Sequence, residues 1–328
     1  MVGLSYSRPH PDALPKGRGR SKNNLDSSRT TDRFKKPHQR LQCVWMEAHR
    51  NLISDSALVQ ETFDLLRQNG GRSSFTEIIG VVFRLSHADE DLAASLVSDL
   101  VGDDPRFTIQ ADHLAIIDDN FESRLLSELD FVVLDVEAIG ARAVPARIIE
   151  LGAYRLRSGK IIDEFQALVN PGVPLPRFIS ALTGITDEML AGAPQFADIV
   201  GAWLDFSGEA VLVAHNATFD LVLLNQEIAR VFPGSRMRNP ELCTVKLARR
   251  LIRNLDGHNL DSLAAHFGFE IPERHRAAGD ARATAQILLR LLDELEGHDV
   301  RTLMEARGFR ADPEEPGGKL DLQLALDI

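Results

Sequence analysis

Apolar residues take up a helical period at Val59, Phe63 and Leu66, and Gly70-Gly71 end that run. Ser74-x-x-Glu77 has the form of a capping box opening a second helix, and Leu92, Leu96 and Leu100 mark a third, closed by Gly102 and followed by Pro105. Two short apolar runs, Phe107 to Ile109 and Leu114 to Ile117, flank Ala111-Asp112-His113 and predict a hairpin. Residues 121–130 predict a short linking helix. From Phe131 the pattern changes to strands: FVVLDVEAIG (131–140), Ile148 to Leu156, and Ile161 to Val169, the last two joined by a turn at Arg157-Ser158-Gly159-Lys160. Helical segments follow around Pro176 to Leu182 and Phe196 to Leu204, then a buried strand at Val211 to Ala214 and a helix through Leu221 to Val231. Further helices are expected at about Thr244 to Ile252, Leu260 to Phe267 and Asp280 to Glu294.

These elements predict two folded parts. Residues 50–120, three helices and a hairpin, resemble a winged helix. Residues 128–297, an antiparallel start, a parallel continuation and flanking helices, make an α/β domain with a mixed sheet. Residues 1–41 have no apolar period and are rich in Pro, Gly, Ser, Asn and bases, so a disordered basic tail is expected. Residues 298–328 are expected to form a flexible C-terminal tail, because the pattern dissolves after Glu296 into an acidic Pro/Gly-rich linker.

Charge sharpens this division. The net charge is -11, yet residues 1–40 carry ten bases against three acids, a local +7 that leaves -18 for the remainder. So acidic a folded part contacts nucleic acid only locally, or through the tail and metal ions. The third helix of the small domain carries Asp89, Glu90, Asp91 and Asp99 and no base, so phosphates flanking a major groove would repel it. A protein-contact or structural role is expected there instead of DNA reading. With 44% hydrophobic residues, no apolar run of membrane-span length and no signal-peptide h-region, the expectation is a cytoplasmic protein with no membrane association. Cys43 and Cys243 form no C-x-x-C, so any metal must be held by carboxylates and water.

Candidate chemistry begins in the first strand. Asp135 and Glu137, at i and i+2, share one face of an apolar strand just before a Gly-containing loop, an arrangement suited to a hard divalent cation or to an ordinary exposed strand edge. Asp220 falls in the first turn of the helix that leaves the buried strand, where the helix dipole also favours an acid. His275 and Asp280 form H-x4-D, in which Asp280 could equally be the N-cap of the last long helix and His275 a loop histidine.

Taken together, Asp-x-Glu, His-Asn-x-x-Phe-Asp and His-x4-Asp, in this order, resemble the DEDDh, or DnaQ-like, 3′–5′ exonuclease family, which includes the proofreading epsilon subunit of bacterial DNA polymerase III. The resemblance runs from about Phe131 to Leu292 and includes Leu182-Thr183-Gly184-Ile185-Thr186, Cys243-Thr244 with Leu247-Ala248-Arg249, and His258-Asn259-Leu260-Asp261-Ser262-Leu263. It implies an RNase H-like domain with a five-stranded mixed sheet. It also implies that Asp135, Glu137, Asp220 and Asp280 hold two Mg²⁺ or Mn²⁺ ions about 4 Å apart. His275, with an ordinary pKa of about 6.5, would be the general base for the attacking water. Asn216, Phe219 and the loop after Glu137, hence Ala138 and Ile139, would position the 3′-terminal nucleotide, and the product would be a nucleoside 5′-monophosphate.

This chain departs from the family pattern at Glu137-Ala138-Ile139-Gly140, where Glu-Thr-Thr-Gly or Glu-Thr-Gly-Gly is common. Two hydroxyls are missing, and Ile139 is expected to offer an apolar wedge to a base or sugar. The implied substrate is a DNA 3′ end, single-stranded or frayed, in replication or repair, with a DNA polymerase as partner. An RNA-trimming enzyme of the same fold, or an adaptor in a replication or repair complex, remains open. At the C-terminus, Gln323-x-x-Leu326-x-Ile328 loosely resembles the peptides by which replication proteins dock on the sliding clamp, and equally suits a frayed tail.

Overall fold

The computed structural model describes residues 49–102, 104–118, 120–140 and 146–310. The expected basic tail and the clamp-like peptide lie outside the described residues.

The chain enters as a short strand, β1 (Leu52–Ser54), and continues through α1 (Ala57–Gln68), β2 (Arg72–Ser74), α2 (Phe75–Val81), α3 (Glu90–Val101), β3 (Phe107–Gln110) and β4 (His113–Ile116). Ser74 caps α2 as expected, its hydroxyl accepting the Glu77 N–H at 3.2 Å. The Glu77 carboxylate does not return to the cap. It accepts from Asn69 Nδ2 at 2.9 Å and so ties α2 to the end of α1. The expected hairpin gains a third strand, since β2 pairs antiparallel with β4 to give the order β2-β4-β3. Val59, Leu66, Ile78, Ile79, Val97 and Leu114 are buried in a core belonging to these elements alone.

Two 3-10 turns, at Phe121–Ser123 and Leu126–Glu128, replace the linking helix expected over 121–130. Phe121, Leu126 and Leu129 are spaced too irregularly for one helical stripe, and all three turn into the larger core.

The larger part contains β5 (Phe131–Ile139), β6 (Arg147–Arg157), β7 (Lys160–Leu168), α4 (Arg177–Thr183), α5 (Asp187–Ala191), α6 (Phe196–Ser207), β8 (Val211–Ala214), α7 (Ala217–Val231), β9 (Ser235–Met237), β10 (Glu241–Cys243), α8 (Thr244–Leu251), α9 (Leu260–Phe267), α10 (Ala277–Gly297) and α11 (Leu303–Gly308). The five-stranded sheet has the order β10-β8-β5-β6-β7, antiparallel through β5-β6-β7 and parallel through β10-β8-β5. It is the mixed α/β domain expected, RNase H-like in class. At the β6–β7 turn Ser158 and Gly159 both have positive φ, which matches the right-handed twist of a tight hairpin.

Alternation along β5 builds two cores. Val132, Leu134 and Val136 pack with α6 and α7 on one face, while Phe131 and Val133 join Leu247, Leu263, Leu288 and Leu291 on the other. The ordered chain also runs past 297. Thr302 and Glu305 form a capping box that starts α11, and Leu303 and Ala306 are fully buried. The flexible tail expected from residue 298 is corrected over 298–310, and its remainder lies outside the described residues. Six helical residues are too short for their period to show in sequence, although T-x-x-E at 302–305 was a readable signal.

β1 also departs from a simple two-part reading. It pairs antiparallel with β9, and Asn51 Nδ2 donates to the Leu204 carbonyl at 2.9 Å and to Ser207 Oγ at 3.0 Å. Ser54 N–H donates to Asp104 at 2.9 Å, so one strand is bonded to both parts.

Candidate active site

β5 carries the first two acids on its second face, where Asp135 and Glu137 continue the alternation begun by Phe131 and Val133. Asp135 stands opposite Gly152 of β6 and Glu137 opposite Glu150, and the register slips between Glu137 and Ala138. A slip of this kind re-aims side chains at the end of a strand. β8 stops at Ala214 and pairs with β5 only as far as Val133. The N–H of Val136 is therefore available to Asp220, whose Oδ1 accepts it at 3.2 Å. Asp220 thus reaches the sheet from α7, in the opposite layer to α10, and is itself buried.

Asp280 arrives from α10. It is the fourth residue of that helix, and Arg276 occupies the N-cap position, so the N-cap reading of Asp280 is corrected. Two glycines permit the approach. A Cβ on Gly152 would stand 2.7 Å from the Ala277 carbonyl oxygen, and one on Gly279 would stand 2.8 Å from Glu273 Cβ. Their absence lets the first turn of α10 lie against β6 and the His275 loop fold back over it. Buried Glu150 fixes the same turn, accepting from Arg276 Nη2 at 2.7 Å, Arg276 Nε at 3.0 Å and the Ala277 N–H at 2.9 Å.

Carboxylate oxygens of Asp135, Glu137 and Asp280 lie within 4.8 Å of one another, and Asp220 borders this group. Burial, then the charges of Asp220, Asp280 and Glu137, hold the Asp135 carboxyl well above the ordinary range. Glu137 is pushed up to about 8 by burial and by Asp280 and Glu150. Asp220 is pushed up to about 7 by burial, against the Val136 N–H. Asp280 is also raised by burial, less so because Arg274 opposes it. Such a set ionises together at neutral pH only with positive charge among its members. Asp280 Oδ1 is buried without a hydrogen-bond partner among the described residues. Three grouped carboxylates, one of them with an orphaned oxygen, are a donor set for a hard divalent cation, and the residues fit one.

His275 sits at φ 61°, half-buried, with its N–H donating to Asp280 Oδ2 at 3.3 Å. The residue neighbours both Asp280 and Asp261, at the rim of the acid group. Asn216 is exposed at φ 73° as the residue before α7, and Phe219 is 39% exposed. Ala138 is half-buried. Ile139 is 9% exposed and packs with Ile149, Leu175, Ile179, Ile185 and Leu190, so little of its side chain is free to act as the expected wedge.

Further residues at the site had no role assigned from the sequence, although His215 and Thr244 fall within the motifs that carry the family resemblance. Arg274 contacts Asp280 through Nη1 and Asp261 through Nε at 2.9 Å, bringing a guanidinium to the edge of the acids. Its signal was a pair of arginines flanking His275 in an otherwise acidic setting. His215 Nδ1 and Thr244 Oγ1 are 3.0 Å apart, and burial and Arg274 push the imidazole down to about 4, so it is neutral at pH 7.

The sequence profile of the exonuclease family RNase_T matches residues 132–288, a span that contains all four acids and His275. The chain is 39% identical over 165 residues to the DNA polymerase III subunit epsilon of Aquifex aeolicus, covering 50% of this chain and 81% of the relative. It is 41% identical over 175 residues to the PolC-type DNA polymerase III of Bacillus subtilis, covering 53% of this chain but 12% of that polymerase. The chain therefore spans about an eighth of the length of the PolC relatives it matches. Among solved structures, Exonuclease X in complex with 5′-overhanging duplex DNA aligns over 50% of this chain and 91% of its own at 28% identity, with a TM-score of 0.41.

Proposed function

The chain belongs to the DnaQ-like (DEDDh) exonuclease family, and on that premise we propose that it removes nucleoside 5′-monophosphates from DNA 3′ ends, in proofreading or repair. The carrying observation is the convergence of Asp135, Glu137 and Asp280 within 4.8 Å, with Asp220 anchored beside them and Asp280 Oδ1 left without a partner. Two Mg²⁺ or Mn²⁺ ions held by these acids would supply an activated water and neutralise charge on the leaving 3′ oxygen. The protein's own groups do the rest. His275 takes the proton of the attacking water at its imidazole, and the Val136 N–H keeps the Asp220 carboxylate oriented. Arg274 screens Asp280 while the site is being loaded. Asn216 and Phe219, exposed at the start of α7, are placed to meet the terminal nucleotide.

The relatives named as DNA polymerase III components support a polymerase as the partner. The part spanning residues 50–120 is proposed as a winged-helix-like protein-contact module. Its support is α3, where Asp89, Glu90 and Asp91 open the helix and Leu92 is 47% exposed. No helix among the described residues is long and apolar enough to cross a membrane, and we place the activity in the cytoplasm.

Digestion of 3′-labelled and 5′-labelled DNA and RNA, with Mg²⁺, Mn²⁺ or EDTA, tests the reading. Metal-dependent early loss of the 3′ label from DNA is expected, and it should disappear in Asp280→Asn. Early loss of the 5′ label, or activity undiminished in EDTA, would refute it. Preference for RNA would move the substrate class to the exoribonuclease alternative.

A further inference from the structure

The acids that carry the chemistry repel the substrate's phosphates, and the chain as a whole is at -11, so affinity for a polyanion must come from a local concentration of positive charge. The outer face of α8 provides one. Its sequence, TVKLARRL, holds Lys246, Arg249 and Arg250 and no acid, and Arg253 follows just beyond its end. Among the described helices it alone carries three cations without a carboxylate. Leu247 and Ala248 are buried in the core and turn the charged face outward, with Lys246 and Arg249 exposed. Neither cation has an ion-pair partner among the described residues. Arg250, by contrast, is tied to the Arg307 carbonyl, and Arg307 to Glu122 and to the Glu241 carbonyl at 3.1 Å.

The face is continuous with the active site. Thr244, the first residue of α8, is 3.0 Å from His215, and His215 directly precedes Asn216 and the turn that presents Asp220. Between the two helix starts opens a groove of about 290 Å³, walled by Ala217 and Thr218 on one side and by Lys246 and Arg250 on the other. Glu241 is the carboxylate in its lining. Lys246 stands nearest the site, and at ~1.5 Å of rise per residue Arg249 lies roughly 4.5 Å further along the axis.

We propose that this face of α8 is the track for the strand behind the 3′ terminus, its phosphates meeting Lys246 and then Arg249 as the end is fed to the acids. The inference rests on the exonuclease reading above and adds where the uncleaved strand lies.

The test uses the full-length Lys246→Gln/Arg249→Gln protein, both positions being exposed. Binding of a labelled single-stranded oligonucleotide with a non-hydrolysable 3′ linkage is measured against salt by fluorescence anisotropy. Each lost phosphate contact flattens the dependence of log K on log salt by about 0.7, so the double variant should be shallower by about 1.4. Between about 50 and 200 mM salt its affinity should then fall roughly sevenfold less than that of the parent. Hydrolysis of the p-nitrophenyl ester of thymidine 5′-monophosphate, which has no strand behind it, should be unchanged. An unchanged salt slope would overturn the proposal, as would equal loss on the ester and the oligonucleotide. Because binding is read without turnover, a parent protein that binds along α8 but cleaves neither substrate would sink the exonuclease reading and leave this one standing.

Discussion

Replacing Glu137 by glutamine should stabilise the metal-free protein at alkaline pH while abolishing its nuclease activity. Moving a carboxyl from 4.5 to about 8 disfavours its ionised form by roughly 5 kcal/mol at ~1.36 kcal/mol per pH unit. Glu137 keeps partial contact with solvent, which screens that charge, so about 2–3 kcal/mol is the amount to expect. The folded pKa is the higher one, so the native state holds its proton more tightly than the unfolded chain does. The contribution is therefore complete below about pH 4.5 and is lost as pH rises through about 8. In EDTA the parent protein should lose Tm between pH 5.5 and 8.5, by roughly 5–10 °C at ~2–4 °C per kcal/mol for a chain of this size. Glu137→Gln should flatten that fall, leaving the variant the more stable protein at pH 8.5 and near parity at pH 5. Saturating Mn²⁺ should remove the pH dependence from the parent, because the cation replaces the protons. Differential scanning fluorimetry over this grid decides the matter. A metal-free parent whose Tm is flat over the range, or a variant with the same slope, would refute the argument that these acids are crowded without a cation.

Other outcomes follow from the same geometry. Arg274→Gln removes the guanidinium on Asp280, so Mn²⁺ measured by electron paramagnetic resonance should bind on the order of tenfold more tightly, an outcome that weaker binding would contradict. Gly152→Ala places a methyl against the backbone of Ala277 and should destabilise by about 2–3 kcal/mol in urea unfolding, with weaker metal binding as Asp280 is displaced; full stability would show that the close approach is dispensable. Leu303→Ala should cost about 2–5 kcal/mol, since the side chain is fully buried in the core, whereas a loose tail at this position would register nothing. His275→Ala should lower kcat on a 3′-labelled oligonucleotide by about 10²–10⁴-fold while Mn²⁺ affinity changes little; undiminished turnover would take the general base elsewhere.

Much of the fold was legible because its apolar runs, caps and turn residues are local signals. The apolar run at 131–139, the N-cap at Ser74 and the paired turn residues Ser158-Gly159 each name their own structure through one or two turns of chain. The acids were legible by order and setting, since Asp-x-Glu on a strand and an acid in a first helical turn are short-range facts. What had no local signature was missed. β1 finds its partner β9 across some 180 residues, the two 3-10 turns have no period, and α11 is too short to show one.

For this protein the sequence by itself determined which residues are candidates to hold a cation and on which elements they lie, because side-chain chemistry and local pattern are written in the chain. Tertiary structure decided the rest. Two chain segments far apart in sequence, β5 and α10, set the 4.8 Å spacing of Asp135, Glu137 and Asp280, and that spacing depends on Gly152 and Glu150 letting α10 settle on β6. The same packing brought Arg274 onto Asp280, sank Ile139 into a core and turned the cations of α8 outward beside the site. None of these is encoded within a single segment, since each depends on what another layer of the fold leaves exposed or covers.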